Sequence, residues 1–246
     1  PPPPPPPPPP STHTPPPPRP NLSSAKGFTL AEVLVTLGII GVVSAMTVPT
    51  LMQNYQKKSY VTQLHKVYNE IQQAALNYIT EKNALNLIEA GINSQAKANS
   101  FITDSFKVVQ TCSGSITPCF ADSYRSINGT TVSGFTANYN AYVLASGAAI
   151  RPAYYYSGKG GASYQSVMNL LIDINGKQGP NIQGRDFFNI GLYADGTLDE
   201  IEYQNPVTPP LSEDTREQLF ARNCLQGKTG YGCFGKILND NWEMNY

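Results

Sequence analysis

Lys26-Gly27-Phe28-Thr29-Leu30-Ala31-Glu32-Val33-Leu34-Val35-Thr36-Leu37-Gly38-Ile39-Ile40-Gly41-Val42-Val43-Ser44-Ala45-Met46-Thr47-Val48-Pro49 decides how the rest of the chain is read. From Val33 to Met52 no side chain carries a charge. A run of about 20 such residues is what a helix needs to cross the apolar core of a bilayer. Glu32 stands at its near edge, where a carboxylate costs on the order of 2.5–3.5 kcal/mol or more. Either the acid is tolerated at the margin of a plain anchor, or it is kept to meet a partner inside an apolar environment.

Past Asn54 the apolar positions become periodic: Tyr60 and Val61, Leu64, Val67 and Tyr68, Ile71, Ala74 and Ala75, Tyr78 and Ile79. Lys57, Lys58, Lys66, Glu70, Glu81 and Lys82 fall on the opposite side, so the spacing predicts an amphipathic helix with one face free to pack on a sheet. Pro49 removes one backbone donor and is expected to kink this helix rather than end it. His65 follows Leu64 and reads as a helix-surface residue.

Fold class and motif come together in a family resemblance. Gly27, Phe28, Thr29, Leu30 and Glu32, opening a long apolar helix, resemble the cleavage and methylation motif of type IV pilins and type II secretion pseudopilins. Gly38, Gly41 and Pro49 stand where such chains carry helix-loosening residues. The resemblance implies cleavage after Gly27 by a prepilin peptidase and N-methylation of the new amino terminus on Phe28. It also implies that Glu32 serves assembly by pairing with the Phe28 ammonium of a neighbouring subunit, a register device more than a stabiliser. The expected fold is α+β and pilin-like, with a long N-terminal helix, membrane-spanning in its first half, on a small antiparallel sheet. The expected segments are a Pro-rich leader over 1–27, a membrane and filament-core helix over 28–53, its amphipathic continuation over 54–84, and a globular head over 85–246.

The implied partners are other pilin-like subunits in a filament, the peptidase, the inner-membrane assembly platform and the membrane itself. The implied location is the bacterial inner membrane before assembly, as a single-pass protein, and the periplasm or a cell-surface pilus afterwards. Lys57 and Lys58 follow the span as Lys26 precedes it, so basic residues do not fix orientation and the outward head comes from the resemblance. Glu32 favours a body subunit. The alternative is a minor tip pilin acting as an adhesion, DNA-uptake or cargo-binding module.

Composition sets looser bounds. A formal net charge of zero argues against a nucleic-acid partner. Tyr 15 against Trp 1, among many small polar residues, suits a loop-rich extracytoplasmic β domain. Residues 1–20 are mostly proline, polyproline II or unstructured, with His13 and Arg19 the only groups able to carry charge there. Position 1 is not Met, which reads as a fragment or as a start placed upstream of a true leader near Leu22. A proline-binding domain is a second conceivable reader of this tract.

Cys112 and Cys119 enclose six residues and Cys224 and Cys233 eight; four cysteines allow three pairings. In the extracytoplasmic domain that the resemblance implies, two local bridges are expected, Cys112–Cys119 and Cys224–Cys233, the second closing a loop like the variable region of many pilins. Zinc is the rival, but neither spacing is the short gap typical of thiolate pairs.

Residues 85–140 are hard to read, with a possible helix from Asn86 to Ser100 and loops at Gly114, Pro118, Gly129 and Gly134. Strands are expected near Tyr139–Ala145 and at Val167–Ile174, and a hairpin over Asn189–Tyr203 turning at Asp195-Gly196. Pro206, Pro209 and Pro210 end it. Ser212 reads as the N-cap of a short helix running to Leu225, with Gly227 beyond. The run from Asp173-Ile174-Asn175-Gly176 through Gly179-Pro180-Asn181 to Gly184-Arg185-Asp186 looks like one recurrent in pilin-like proteins, as does the ending Lys236–Met244, where Ile237 and Trp242 should pack on the core.

That run reads as a turn-rich connection. The alternative is calcium on Asp173, Asn175 and Asp186, because some pseudopilins bind calcium in the head, although the twelve-residue calcium loop with its terminal Glu is absent. No cofactor and no metal are assigned. Gly227-Lys228-Thr229 fails as a phosphate loop, because the first glycine of that motif would fall on Arg222. With two histidines and no nucleophile beside a base, no catalytic residue is assigned and the chain does not read as an enzyme.

Overall fold

The computed structural model describes residues 1–6, 27–132, 139–154, 166–202, 208–227 and 231–246. Most of the proline-rich leader, with His13, Arg19, Leu22 and Lys26, lies outside the described residues, as do Gly134, Tyr203, Pro206, Lys228 and Thr229. The chain divides into two compact units, Pro1–Pro49 and Thr50–Tyr246.

Helix α1 runs over Leu30–Glu81 with Pro49 inside it. In the first unit every side chain from Phe28 to Pro49 is exposed, Phe28 at 88% and Ile40 at 60%. Two of its hydroxyls are spent internally: Thr36 donates to the Val33 carbonyl and Thr47 to the Val43 carbonyl, each at 2.9 Å. This portion of α1 is therefore apolar all round.

In the second unit α1 is one-faced. Val61, Leu64, Val67, Ile71, Ala74 and Ala75 are buried and meet a sheet of six strands in the order β1-β4-β5-β6-β7-β8, every neighbouring pair antiparallel. The central strands are β5 (Ala149–Tyr154), β6 (Ser166–Asp173) and β7 (Phe187–Tyr193). Strand alternation sorts their residues. Leu170 and Ile172 of β6 and Phe188, Ile190 and Leu192 of β7 share the core with the helix. Phe187 and Ala149 face the other side, in a second cluster with Cys112, Cys119, Phe120 and Tyr124. β4 covers Ala141–Leu144, and β8 is only Leu198–Asp199.

The stretch that is hard to read in sequence resolves into small pieces. The possible helix from Asn86 is displaced: helix α2 begins at Gln95, capped by Ser94, whose Oγ accepts from the Lys97 N–H, and ends at Ser105. β1 (Val108–Cys112) is an edge strand with a bulge after Val108, and β2 (Tyr124–Arg125) and β3 (Thr131–Val132) form a minimal second sheet. The hairpin turns at Asp195-Gly196 with Gly196 at φ +90°, and the Tyr193 N–H donates to the Thr197 carbonyl at 2.9 Å. Its second strand is shorter than expected and Ile201 lies beyond the ladder. The reason is local: the Asp199 and Glu200 carboxylates take the N–H groups of Glu200 and Ile201.

β5 holds Pro152, which cannot donate to a ladder. It is tolerated because, among the described residues, β4 pairs only with Ala149 and Ile150 and no strand lies along the edge at Pro152. Gln95 fills that place: its Nε2 donates to the Pro152 carbonyl at 2.9 Å and its Oε1 accepts the Tyr154 N–H at 2.7 Å. Gln95→Ala should cost about 1–3 kcal/mol in urea unfolding, the range for leaving buried backbone groups unpaired. Hydrogen exchange should then rise at the Tyr154 amide beyond any global change; unchanged protection there would show that Gln95 does not close this edge.

Candidate functional site

The N-terminal candidate is built by a helix cap. Residues 27–29 precede α1, leaving the Gly27–Phe28 bond just outside the helix. The Thr29 Oγ1 accepts the Glu32 N–H at 3.2 Å, while Glu32 Oε2 accepts the Thr29 N–H at 2.8 Å and its hydroxyl at 2.9 Å. This is a reciprocal capping box, two orphan donors of the first turn satisfied by each other's side chains. Thr29 is the residue whose part the motif alone does not reveal, although Thr-x-x-Glu is the sequence signature of such a box. Both bonds that Thr29 donates, from its N–H and its hydroxyl, fall on one carboxylate oxygen of Glu32.

The four cysteines form two disulfides, Cys112–Cys119 and Cys224–Cys233, so their sulfurs are not thiolate ligands. The first bridge closes a loop under the outer face of the sheet. The second joins the π-helical turn Phe220–Cys224, which continues helix α3 (Glu213–Leu219), to the start of helix α4 (Cys233–Asn239). Ser212 Oγ accepts the Thr215 N–H and caps α3. Gly232 caps α4 at φ +89°, and a Cβ there would stand 2.3 Å from the Leu219 carbonyl oxygen, so glycine is required.

Three acids leaving β8 hold this C-terminal region. Buried Asp199 takes Arg216 in a two-pronged pair, Nε at 2.9 Å and Nη2 at 2.7 Å, and also accepts the Leu211 N–H at 2.7 Å. Buried Glu200 accepts the Gly235 N–H at 2.8 Å, supplying α4 with the cap that Gly232 lacks. Glu202 meets Arg222 at 3.1 Å. Trp242 stacks on the exposed ring of His65, centroids 4.0 Å apart, and meets Tyr68 edge-on at 5.0 Å, which ties the chain end to α1; Ile237 is fully buried.

The two carboxylates among the possible calcium ligands are engaged by the chain itself. Asp173 accepts the Tyr124 hydroxyl and the Asn175 N–H; Asp186 accepts the N–H groups of Asn181 and Ile182, both at 2.7 Å. Among the described residues no three His, Cys, Asp or Glu side chains converge as a metal set. Burial pushes the Asp173 carboxyl up to about 7, with the Tyr124 hydrogen bond opposing the shift, and raises Asp186 as well. Burial likewise lifts Glu200 to about 7 against its backbone donors.

Those raised carboxyls bind protons in the folded state that the unfolded chain has already released. Their contribution to stability is complete below the ordinary carboxylate range and is lost as pH climbs toward 7. The melting temperature of the head should fall between pH 5 and pH 8, and Asp173→Asn with Glu200→Gln should flatten that slope; an unchanged slope would show that these acids do not set it. Arg216→Ala should cost about 3–5 kcal/mol, because Asp199 would be left charged, buried and unpaired. Denaturant unfolding of the variant measures this, and a loss well under 1 kcal/mol would mean that Asp199 finds other partners.

Residues 22–48 match the family model for the prokaryotic N-terminal methylation motif. No curated protein and no solved structure matches the chain. The matched segment contains Gly27, Phe28, the Thr29–Glu32 cap and the greater part of the exposed apolar helix. A methylation motif opening a long helix that packs on an antiparallel sheet gives the chain a pilin-like α+β architecture, and it fits a type IV pilin-like protein.

Proposed function

We propose that this chain is a structural subunit of a type IV pilus or of a type II secretion pseudopilus. The observation that carries the reading is the methylation motif on a helix whose apolar side chains from Phe28 to Pro49 are all exposed. Such a surface needs an apolar surrounding in every working state: lipid before assembly, other subunits after it. Prepilin peptidase cuts after Gly27, Phe28 becomes the methylated amino terminus, and the head stays on the outer side of the inner membrane. Glu32 then meets the Phe28 ammonium of a neighbouring subunit. The cap supports this role, because it uses Oε2 and holds the carboxylate at the first turn of the helix.

Intact mass and N-terminal sequence, taken on sheared surface material and on membranes, test the reading. A mature species starting at methylated Phe28 is expected, with Gly27→Ala remaining at precursor mass in the membrane. Glu32→Ala should be cleaved but should give far fewer filaments; a normal filament yield would remove the inter-subunit pairing. A working form that keeps residues upstream of Phe28 would overturn the reading as a whole.

A further inference from the structure

Within the second unit α1 passes through a short exposed neck before it reaches the sheet. It opens with Leu51 and Met52, continues through Tyr55 and reaches Lys57 and Lys58, and Val61 is the first residue of the helix to be buried. Apolar, then aromatic, then basic is the order in which a bilayer presents hydrocarbon, interface and anionic headgroups. Lys58 stands about 9 Å beyond Met52 along the helix axis, and the polar layer on each side of a bilayer is on the order of 5–8 Å deep. We infer that Lys57, Lys58, Arg125 and Arg185 form a cationic collar, where α1 enters the head, that binds the headgroups of anionic phospholipids. The inference rests on the reading above, in which α1 crosses a membrane.

Three elements bring the collar together. Tyr60 lies one turn beyond Lys57 on the same side of α1, within electrostatic reach of Asp186 and Arg185. The turn that carries Arg185 is fixed to the chain end, because the Tyr246 hydroxyl donates to the Gly184 carbonyl at 2.8 Å. Trp242, a little earlier in the same chain end, stacks on His65 of α1. β2 runs beside that turn: the Arg125 N–H donates to the Asn181 carbonyl at 3.0 Å, and the Gln183 N–H donates to the Arg125 carbonyl at 2.8 Å. Lys58 and Arg125 are exposed, and Lys57 and Arg185 are half-buried.

The four charges are unspent. Among the described residues none of them makes an ion pair, and α1 carries no acid between Glu32 and Glu70. Asp186, next to Arg185 in sequence, is buried and holds the N–H groups of Asn181 and Ile182. One exposed acid, Asp122, stands near Arg125 in sequence, against the four cations. A chain whose formal net charge is zero thus keeps a local surplus of positive charge beside the end of its apolar stretch. Such a collar seats the head on the bilayer surface and is given up when the subunit leaves the membrane.

The test is lipid selectivity, read by electron paramagnetic resonance on the whole mature protein in phosphatidylcholine vesicles. Trace phosphatidylglycerol or phosphatidylcholine, spin-labelled on the acyl chain, reports how much of each lipid is immobilised at the protein. In low salt phosphatidylglycerol should be held several-fold more than phosphatidylcholine. In about 1 M salt, where the screening length falls to about 3 Å, the two should converge. Lys57→Gln, Lys58→Gln, Arg125→Gln and Arg185→Gln together should remove the preference. The exposed pair alone, Lys58→Gln with Arg125→Gln, should reduce it without touching a packed side chain. Lys82→Gln, about 36 Å further along α1, should leave it unchanged. Equal retention of the two lipids by the native chain, or a preference that survives the four replacements, would overturn the inference and leave the membrane reading standing. A protein that immobilises neither lipid would overturn both.

Discussion

A single helix has to satisfy two different surroundings, and the rest of the chain is arranged around that demand. Up to Pro49 α1 offers apolar side chains in every direction and can be stable only where water is absent. From Val61 to Ala75 it offers one apolar face, and the sheet is the surface that covers it. Burying those six side chains removes them from water, a gain of roughly 25 cal/mol per Å² of apolar surface. Strand order, the facing of Leu170, Ile172, Ile190 and Leu192, and the placement of α2 all follow from covering that face.

The covered face is legible in sequence because its signal is periodic and repeated over about four turns. The methylation motif is legible because its residues are adjacent. β6 and the turn of the hairpin are also legible, the first as a long β-branched and leucine run and the second as Asp195-Gly196. β2 and β3 are two residues each and carry no period to detect. β5 hides behind Arg151 and Pro152, residues that argue against a strand until Gln95 is seen closing its edge. The capping box lies inside the recognised motif, yet Thr29 passes as one more motif letter because its contact is made only once the helix forms.

The acids at the end of β8 and just beyond it are the least legible part. Asp199, Glu200 and Glu202 look like an ordinary polar strand end, and their partners lie far off in sequence at Arg216, Gly235 and Arg222. A buried ion pair of this kind adds little net stability over an apolar replacement, but it is unforgiving of misplacement. It therefore fixes where α3 and α4 sit, and with them the loop closed by Cys224–Cys233. Covalent bridge and buried charge act on the same segment: the bridge limits how far it can stray, and the carboxylates choose one position within that limit.

The closure of β5 by Gln95 bears on how such subunits can coexist at high local concentration. An open strand edge is a template on which any extended chain can add itself, and continued addition leads to cross-β aggregates. At this edge an incoming chain meets a proline that offers no N–H and an amide side chain already seated in the positions it would need. Among the described residues one glutamine thus acts as a stopper, occupying the backbone groups that an added strand would use. The sheet thereby offers an incoming chain no free backbone at Pro152 and Tyr154 on which to add a strand.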